Sequence, residues 1–194
     1  MIYRDFIKRI LDVGVALVAL LVAGPIILVA AVLIRLTSPG PSFFLQQRVG
    51  WGGHLFTIYK LRTMHVDEAR VLSQTRNDDP EVFAVGRILR RLKIDELPQI
   101  LNVLKGDMSL IGPRPCMLQT YEAMEDWAKE RARVRPGLTG LAQVRGGVLL
   151  SWDERSRLDV FYVRECSALL DFRILLKTVA VVLLGEERFV QAAP

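Results

Sequence analysis

Two adjacent carboxylates, Asp95 and Glu96, stand in the stretch "KIDELPQILNVLKGDMSLIGPRP" (residues 93–115), just ahead of Pro98. An acidic pair can hold a hard cation, and one member can serve as a nucleophile if held near an electrophile and shielded from water. The ordinary role of Asp-Glu at this kind of position is capping. Further along the same stretch, Arg114 lies between Pro113 and Pro115. Rigid neighbours pre-orient its guanidinium for bidentate contact with phosphate. Upstream, "EVFAVGRILRRLK" (81–93) crowds Arg87, Arg90, Arg91 and Lys93 onto what the apolar spacing leaves free. Such a run is usually a solvated face; leading straight into the acidic pair, it equally fits phosphate binding. Lys60 and Arg62 in "YKLRTM" (59–64) alternate with Leu61, which predicts that both project from one strand face, solvated or functional. "RVRPGLTGLAQVRGG" (133–147) adds arginines 133, 135 and 145 among glycines that let a backbone approach a ligand. It lacks the Gly-Lys-Ser/Thr ending of a P-loop, and the chain has no GxGxxG.

These residues need elements to place them. Leu97, Ile100, Leu101 and Leu104 predict a helix over 95–105 whose first turn tolerates Pro98, fixing the acidic pair at its N-terminus. Gly106 ends it. "FFLQQRVG" and "HLFTIYKLRTM", separated by "WGG", predict a β-hairpin within 43–64. A second helix is expected over 81–93, and residues 65–80, with "RNDDP", read as a polar loop. The chain turns helical again from Asp153. "LLDFRILLKTVAVVLLG" (169–185) holds Asp171, Arg173 and Lys177, which makes it a poor spanning helix; it fits a core helix or one lying in the membrane interface.

At the scale of the chain, 194 residues suffice for one modest domain plus an appendage. Hydrophobic residues make up 51% and mean hydropathy is +0.27, high for a soluble domain. The net charge of +5 fits a phosphate-rich partner such as anionic lipid, nucleotide or nucleic acid. Cys116 and Cys166 have no metal-ligand spacing and read as reduced thiols, and two histidines, His54 and His65, exclude a His-rich metal site. The apolar excess lies early: from Ile10 to Ile34 the only charge is Asp12. This run is too long for a signal core of about 7–15 residues, and no small-x-small cleavage site follows. A straight helix of that length spans about 37 Å, enough for a hydrocarbon core of roughly 30 Å. Gly24-Pro25 predicts a kink, and the two arms are each too short to cross alone. Basic residues flank both ends, as they would if both faced the cytoplasm. A kinked spanning helix and a helix-break-helix that re-enters one leaflet fit equally on these grounds. "TSPGPS" (37–42) ends the segment.

Taken together, the central Pro25, "YKLRTM" (59–64), "GRILRRLKIDELPQILNVLKGDMSLIGPRP" (86–115), "RPGLTGLAQVRG" (135–146) and "DVFYVRECSALLDFRILLKTV" (159–179) resemble the monotopic bacterial sugar transferases, the polyprenol-phosphate phosphoglycosyl transferases. The resemblance covers nearly the whole chain and looks like the minimal catalytic unit. It implies an α+β fold: a re-entrant anchor over 1–38, then a catalytic domain over 39–194 with a small β-hairpin and helices that include interfacial amphipathic ones. It implies transfer of a phosphosugar from a UDP-sugar to polyprenyl (undecaprenyl) phosphate with release of UMP, as the first membrane step of glycoconjugate or exopolysaccharide assembly. It further implies Mg²⁺ as cofactor and a site on the cytoplasmic face of the bacterial inner membrane. Membrane lipid is then a partner, nucleic acid is not, and a homo-oligomer stays open. By the same resemblance Asp95 and Glu96 are catalytic and hold the metal. Lys60, Arg62, Arg90, Arg114 and, more weakly, Arg145 neutralise phosphates; Pro113 and Pro115 shape the nucleotide pocket; Gly24 and Pro25 form the membrane break. Two positions depart from the pattern: Gly24 stands where the family often has Ser, and Lys93 where it often has Ser or Thr. Competing expectations are a single-displacement transferase in which Asp95 only binds metal, and a non-catalytic membrane-anchored scaffold that binds nucleotide sugar.

Overall fold

The computed structural model describes residues 3–65, 81–184 and 186–189, apart from the side chains of residues 5, 186 and 187. The polar stretch over 66–80 lies outside these. The architecture is α+β. One turn of π-helix, Tyr3–Ile7, leads into helix α1, Lys8–Thr37. Strands β1 (Phe43–Val49) and β2 (Leu55–Leu61) then form the expected antiparallel hairpin, with Arg48 opposite Phe56 and Phe44 opposite Lys60. Gly52 and Gly53 make its turn with φ of 65° and 81°, conformations that side-chain-bearing residues resist.

Helix α2 (Ala84–Arg91) is followed by a 3₁₀ turn, Ile94–Glu96, and helix α3 (Gln99–Lys105), which Gly106 closes in the left-handed region. Strand β3 (Ser109–Ile111) pairs in parallel with β4 (Gly137–Thr139), a pairing the short runs did not announce. Between them lie helices α4 (Leu118–Glu122) and α5 (Asp126–Lys129) and a 3₁₀ segment, Glu130–Arg133. Helix α6 (Trp152–Glu165) starts with a capping box: the Ser151 side chain accepts from the Glu154 N–H while the Glu154 carboxylate accepts from the Ser151 N–H. Helix α7 (Ala168–Leu184) completes the order.

Among the described residues, α1 is the one helix long and apolar enough to cross a membrane. It runs continuously through Gly24-Pro25, so the expected break is not an interruption of the helix. One stripe of α1 is buried along its whole length: Lys8, Asp12, Ala16, Ala23, Ala30 and Ile34. Ahead of Pro25, Ala16 and Ala23 pack with Ile58, Ile100, Val103 and Met108. Beyond it, Ala30 and Ile34 pack with Leu61, Phe83 and Leu89. The small alanines let α3 approach closely. The opposite face, including Leu11, Val18, Leu21, Val22, Leu28 and Leu36, is exposed. A third cluster around Leu158, Tyr162, Val163 and Ile174 joins α6 to α7.

Asp12 in its apolar run now has a reason. Its carboxylate accepts the Leu110 N–H at 3.1 Å and faces Lys8 at 3.9 Å. Lys8 in turn donates to Asp171 of α7 at 2.7 Å, and the hydroxyls of Tyr3 and Tyr162 reach the same carboxylate. Buried charges are tolerated when paired and hydrogen-bonded in this way. On α7 only Asp171 and Ile174 are buried, whereas Leu169, Phe172, Leu176, Val179 and Leu183 are exposed, the surface expected of an interfacial helix.

Candidate active site

The acidic pair sits one turn earlier than the sequence predicts. Asp95 and Glu96 lie in the 3₁₀ turn, and Pro98 occupies the N-cap of α3 rather than its first turn. Pro98 has no N–H with which to reach the Ile94 carbonyl, so Leu97 takes that acceptor at 3.1 Å and the turn tightens. Lys93, just before, adopts φ of 56°, the one left-handed residue other than glycine among those described, and its side chain supplies no cap to the turn. Lys93 holds a conformation that costs a non-glycine residue on the order of 1 kcal/mol, next to the pair.

The two carboxylates are treated differently. Asp95 is buried; burial and the adjacent Glu96 raise its carboxyl above the ordinary value, opposed by Lys60, Arg90 and Lys93. Burial alone would raise Glu96 too, but Arg114 and Lys60 reverse it and hold Glu96 well below the carboxylate range. Lys60 Nζ donates to Oε1 at 3.0 Å. Arg114 grips the same carboxylate with both ends of its fork, Nη1 to Oε2 at 3.2 Å and Nη2 to Oε1. Burial lowers the Lys60 ammonium, and Glu96 opposes that. Arg90 is tethered through Nε to the Thr63 hydroxyl at 2.8 Å.

Asp95, Glu96, Lys60, Arg90 and Arg114 therefore lie together. Arg62 does not join them. The strand ends at Leu61, and Arg62 turns beneath residues 38–41: Nε donates to the Pro41 carbonyl at 2.6 Å, Nη1 to the Pro39 carbonyl and the Ser38 hydroxyl, and Nη2 to the Ser38 carbonyl. With 4% of its surface exposed, it fastens the end of α1 to the hairpin. Arg145 also stands apart. Its 3₁₀ segment, Gln143–Arg145, packs on α7, and its Nε is buried without a hydrogen-bond partner among the described residues.

Pro113–Pro115 do form a stiff loop, and its carbonyls show how it is held. Gly137 N–H donates to Pro113 O at 2.9 Å, Arg131 Nη2 to Arg114 O at 2.7 Å, and Val49 N–H to Cys116 O at 2.9 Å. The glycines of "RPGLTG", expected to admit a ligand, pack against the backbone of this loop. A Cβ on Gly112 would run into the Arg135 carbonyl, and one on Gly137 into the Gly112 backbone. Next to the loop, Val49, Gly50, Pro113, Cys116, Tyr121, Arg131 and Pro136 help line a shallow, open depression.

Two residues were not singled out in the sequence. Arg48, the one cation of β1, is half-buried, and its guanidinium is lowered first by burial and then by the charge of Arg114. Its Nε is buried without a hydrogen-bond partner among the described residues. Only its position at the strand end beside "WGG" hinted at it. Arg131, on the 3₁₀ segment, pairs with Asp159 of α6, and no local pattern joins residues so far apart in sequence.

Residues 3–185 match the family described as bacterial sugar transferase. The chain belongs to that family. It is 42% identical over 180 residues to a sugar transferase of Bacillus subtilis (strain 168), EpsL, whose activity is uncharacterised, covering 93% of this chain and 89% of that protein. It is 43% identical over 194 residues to a UDP-glucose:undecaprenyl-phosphate glucose-1-phosphate transferase of Caulobacter vibrioides, covering 95% and 73%. It is 43% identical over 187 residues to a UDP-N-acetylgalactosamine-undecaprenyl-phosphate N-acetylgalactosaminephosphotransferase of Aeromonas hydrophila, covering 93% and 44%. In this bacterial sugar transferase the 3₁₀ turn that carries the acidic pair packs beside α1, and Arg114 of the braced loop and Lys60 of the hairpin reach it from either side.

Proposed function

We propose that this sugar transferase moves a sugar-1-phosphate from a UDP-sugar to undecaprenyl phosphate and releases UMP, in two displacements through Asp95. The observation that carries this is the inequality of the two acids: Glu96 is ion-paired with Lys60 and Arg114, while the buried Asp95 carboxylate is held more basic beside it. In the first displacement an Asp95 oxygen bonds to the β-phosphorus, and the bond from that phosphorus to the bridging oxygen breaks. UMP leaves with the electron pair. In the second, an oxygen of the polyprenyl phosphate bonds to the same phosphorus and the Asp95 carboxylate departs. Lys60, Arg90, Arg48 and Arg114 supply the positive field that phosphoryl transfer needs more than elaborate bond chemistry.

The residues present fit Mg²⁺. Among the described residues no cluster of three or more metal-ligating side chains exists, so two carboxylates are what the protein offers. That suits an ion that keeps water and takes its remaining oxygens from the diphosphate. Asp95 and Glu96 would hold it, and bound there it would neutralise charge on the departing nucleotide phosphate.

Residues 1–38 serve as a monotopic anchor at the cytoplasmic face of the inner membrane in this reading. Support comes from α1 packing both of its arms on the one catalytic body, with its other face apolar and bare. An acceptor whose phosphate rides at headgroup level then meets a site held at that height, which makes the second step effectively intramolecular.

The test supplies the membrane-embedded enzyme with a panel of UDP-hexoses and UDP-N-acetylhexosamines, without acceptor. The expected result is UMP up to one equivalent per enzyme, with a phosphosugar adduct on the peptide bearing Asp95. Release of UMP only when undecaprenyl phosphate is present would favour single displacement, with Asp95 as a metal ligand.

A further inference from the structure

The carbonyls of Pro113, Arg114 and Cys116 each receive one hydrogen bond. Two of the donors are backbone N–H groups. The third is a side chain, Arg131, and its acceptor is the carbonyl of the residue whose guanidinium grips Glu96. The flanking prolines do not settle that residue's geometry by themselves. Pro113 fixes its own φ, and Pro115 restricts Arg114 to extended conformations but leaves tens of degrees in ψ. The carbonyl bond fixes where in that range the Arg114–Pro115 peptide lies, and with it the direction in which the Arg114 side chain departs. Arg114 is exposed, so its packing does little to aim it.

Arg131 is itself set in place. It is 5% exposed, and the same Nη2 that donates to Arg114 O also donates to Asp159 Oδ2 at 2.7 Å. Asp159 is 2% exposed on α6, a helix started by its own capping box and packed through Leu158 and Tyr162 into the α6–α7 core. A rigid connection thus runs from α6 through Asp159 and Arg131 to the Arg114 carbonyl, then through the Arg114 guanidinium to Glu96.

We propose that Arg131, held by Asp159, is a positioning residue for Arg114 and through it for Glu96, so that α6 tunes the site without touching substrate. This rests on the function proposed above. A bland alternative is that the pair is merely a buried ion pair of the core.

The test replaces the pair as a unit, Arg131→Met with Asp159→Leu, so that no unpaired buried charge remains. The change is made in the wild type and in an Arg114→Ala background, and single-turnover UMP release with radiolabelled donor is measured in membrane nanodiscs. With Arg114 present, the rate should fall about ten- to a hundredfold. With Arg114→Ala, the same change should cost less than about twofold, since the residue being aimed is gone. Equal losses in both backgrounds would overturn the proposal. Hydrogen exchange supplies a second reading that needs no turnover: the pair replacement should deprotect the Gly112, Gly137 and Val49 amides, which tie this loop down, while leaving the α3 and α6 amides protected. Deprotection across the whole chain, or none at these three amides, would also overturn it. If the wild type releases no UMP from any donor, the proposed function fails, while the exchange experiment still decides whether Arg131 holds the loop.

Discussion

Asp95 and Glu96 are neighbours in sequence with unequal surroundings, and the proposed function rests on that inequality. A carboxylate already gripped by an arginine fork and a lysine is a poor nucleophile, while its buried neighbour keeps a more basic oxygen. Asp95→Asn is therefore expected to cut UMP release by about three orders of magnitude or more while membrane association is unchanged, as measured by flotation with vesicles. Asp159 gives a pH signature. Burial raises its carboxyl from the ordinary 3.8 to about 6 despite Arg131. A raised value means that the folded state binds the proton more tightly than the unfolded chain. Its contribution to stability is full below about pH 4 and is lost as pH rises through about 6. Relative to wild type, Asp159→Asn should gain melting temperature as pH rises across that window; a difference independent of pH would contradict this. The dyad and the cations Lys60, Arg90 and Arg114 were legible in the sequence because they cluster within short, charged stretches. Arg62 was expected on the strand face beside Lys60, and the structure places it elsewhere. Strand alternation says which face a residue takes, but not where the strand stops, and Arg62 begins where β2 has ended.

At the scale of elements, the hairpin, α2 and α3 were readable from apolar spacing and from Gly52, Gly53 and Gly106. The β3–β4 pairing was not, because two three-residue strands carry no periodicity and their partners are fixed by tertiary contact. The glycines of "RPGLTG" were legible but not their packing against Gly112, since close approach to a second backbone and close approach to a ligand demand the same residue. Gly137→Ala should therefore disrupt the 109–113 and 137–139 pairing and lower stability, seen as a lower melting temperature even without nucleotide present. Arg62→Ala should cost about 2 kcal/mol of stability, since it strips donors from the buried Ser38 carbonyl and from the Pro39 and Pro41 carbonyls at once. Its effect on donor affinity should be small in whatever fraction stays folded, as judged by the KM for the UDP-sugar.

For the whole molecule, α1 was recognised as a membrane segment from composition alone, yet its buried stripe of alanines could not be told from lipid-facing apolar residues. Only the folded body distinguishes them. Because the residues around Lys8–Asp12 and around Ile34–Ser38 both dock on that body, both ends of α1 are expected on the cytoplasmic face. Phe6→Cys and Thr37→Cys, each at an exposed position, should both react with a membrane-impermeant maleimide in inverted vesicles and not in intact spheroplasts. Labelling of Phe6→Cys from outside would make α1 a spanning helix.

The seam of α1 against Ile58, Leu61, Phe83, Ile100 and Val103 also means that the first helix is one wall of two hydrophobic clusters rather than a tail tied to a finished enzyme. Trimming it away would leave a greasy trench open to water. No freely diffusing catalytic fragment is to be had by truncation, and detergents that strip the first helix from its bed should inactivate the enzyme even when the chemistry-bearing residues are untouched.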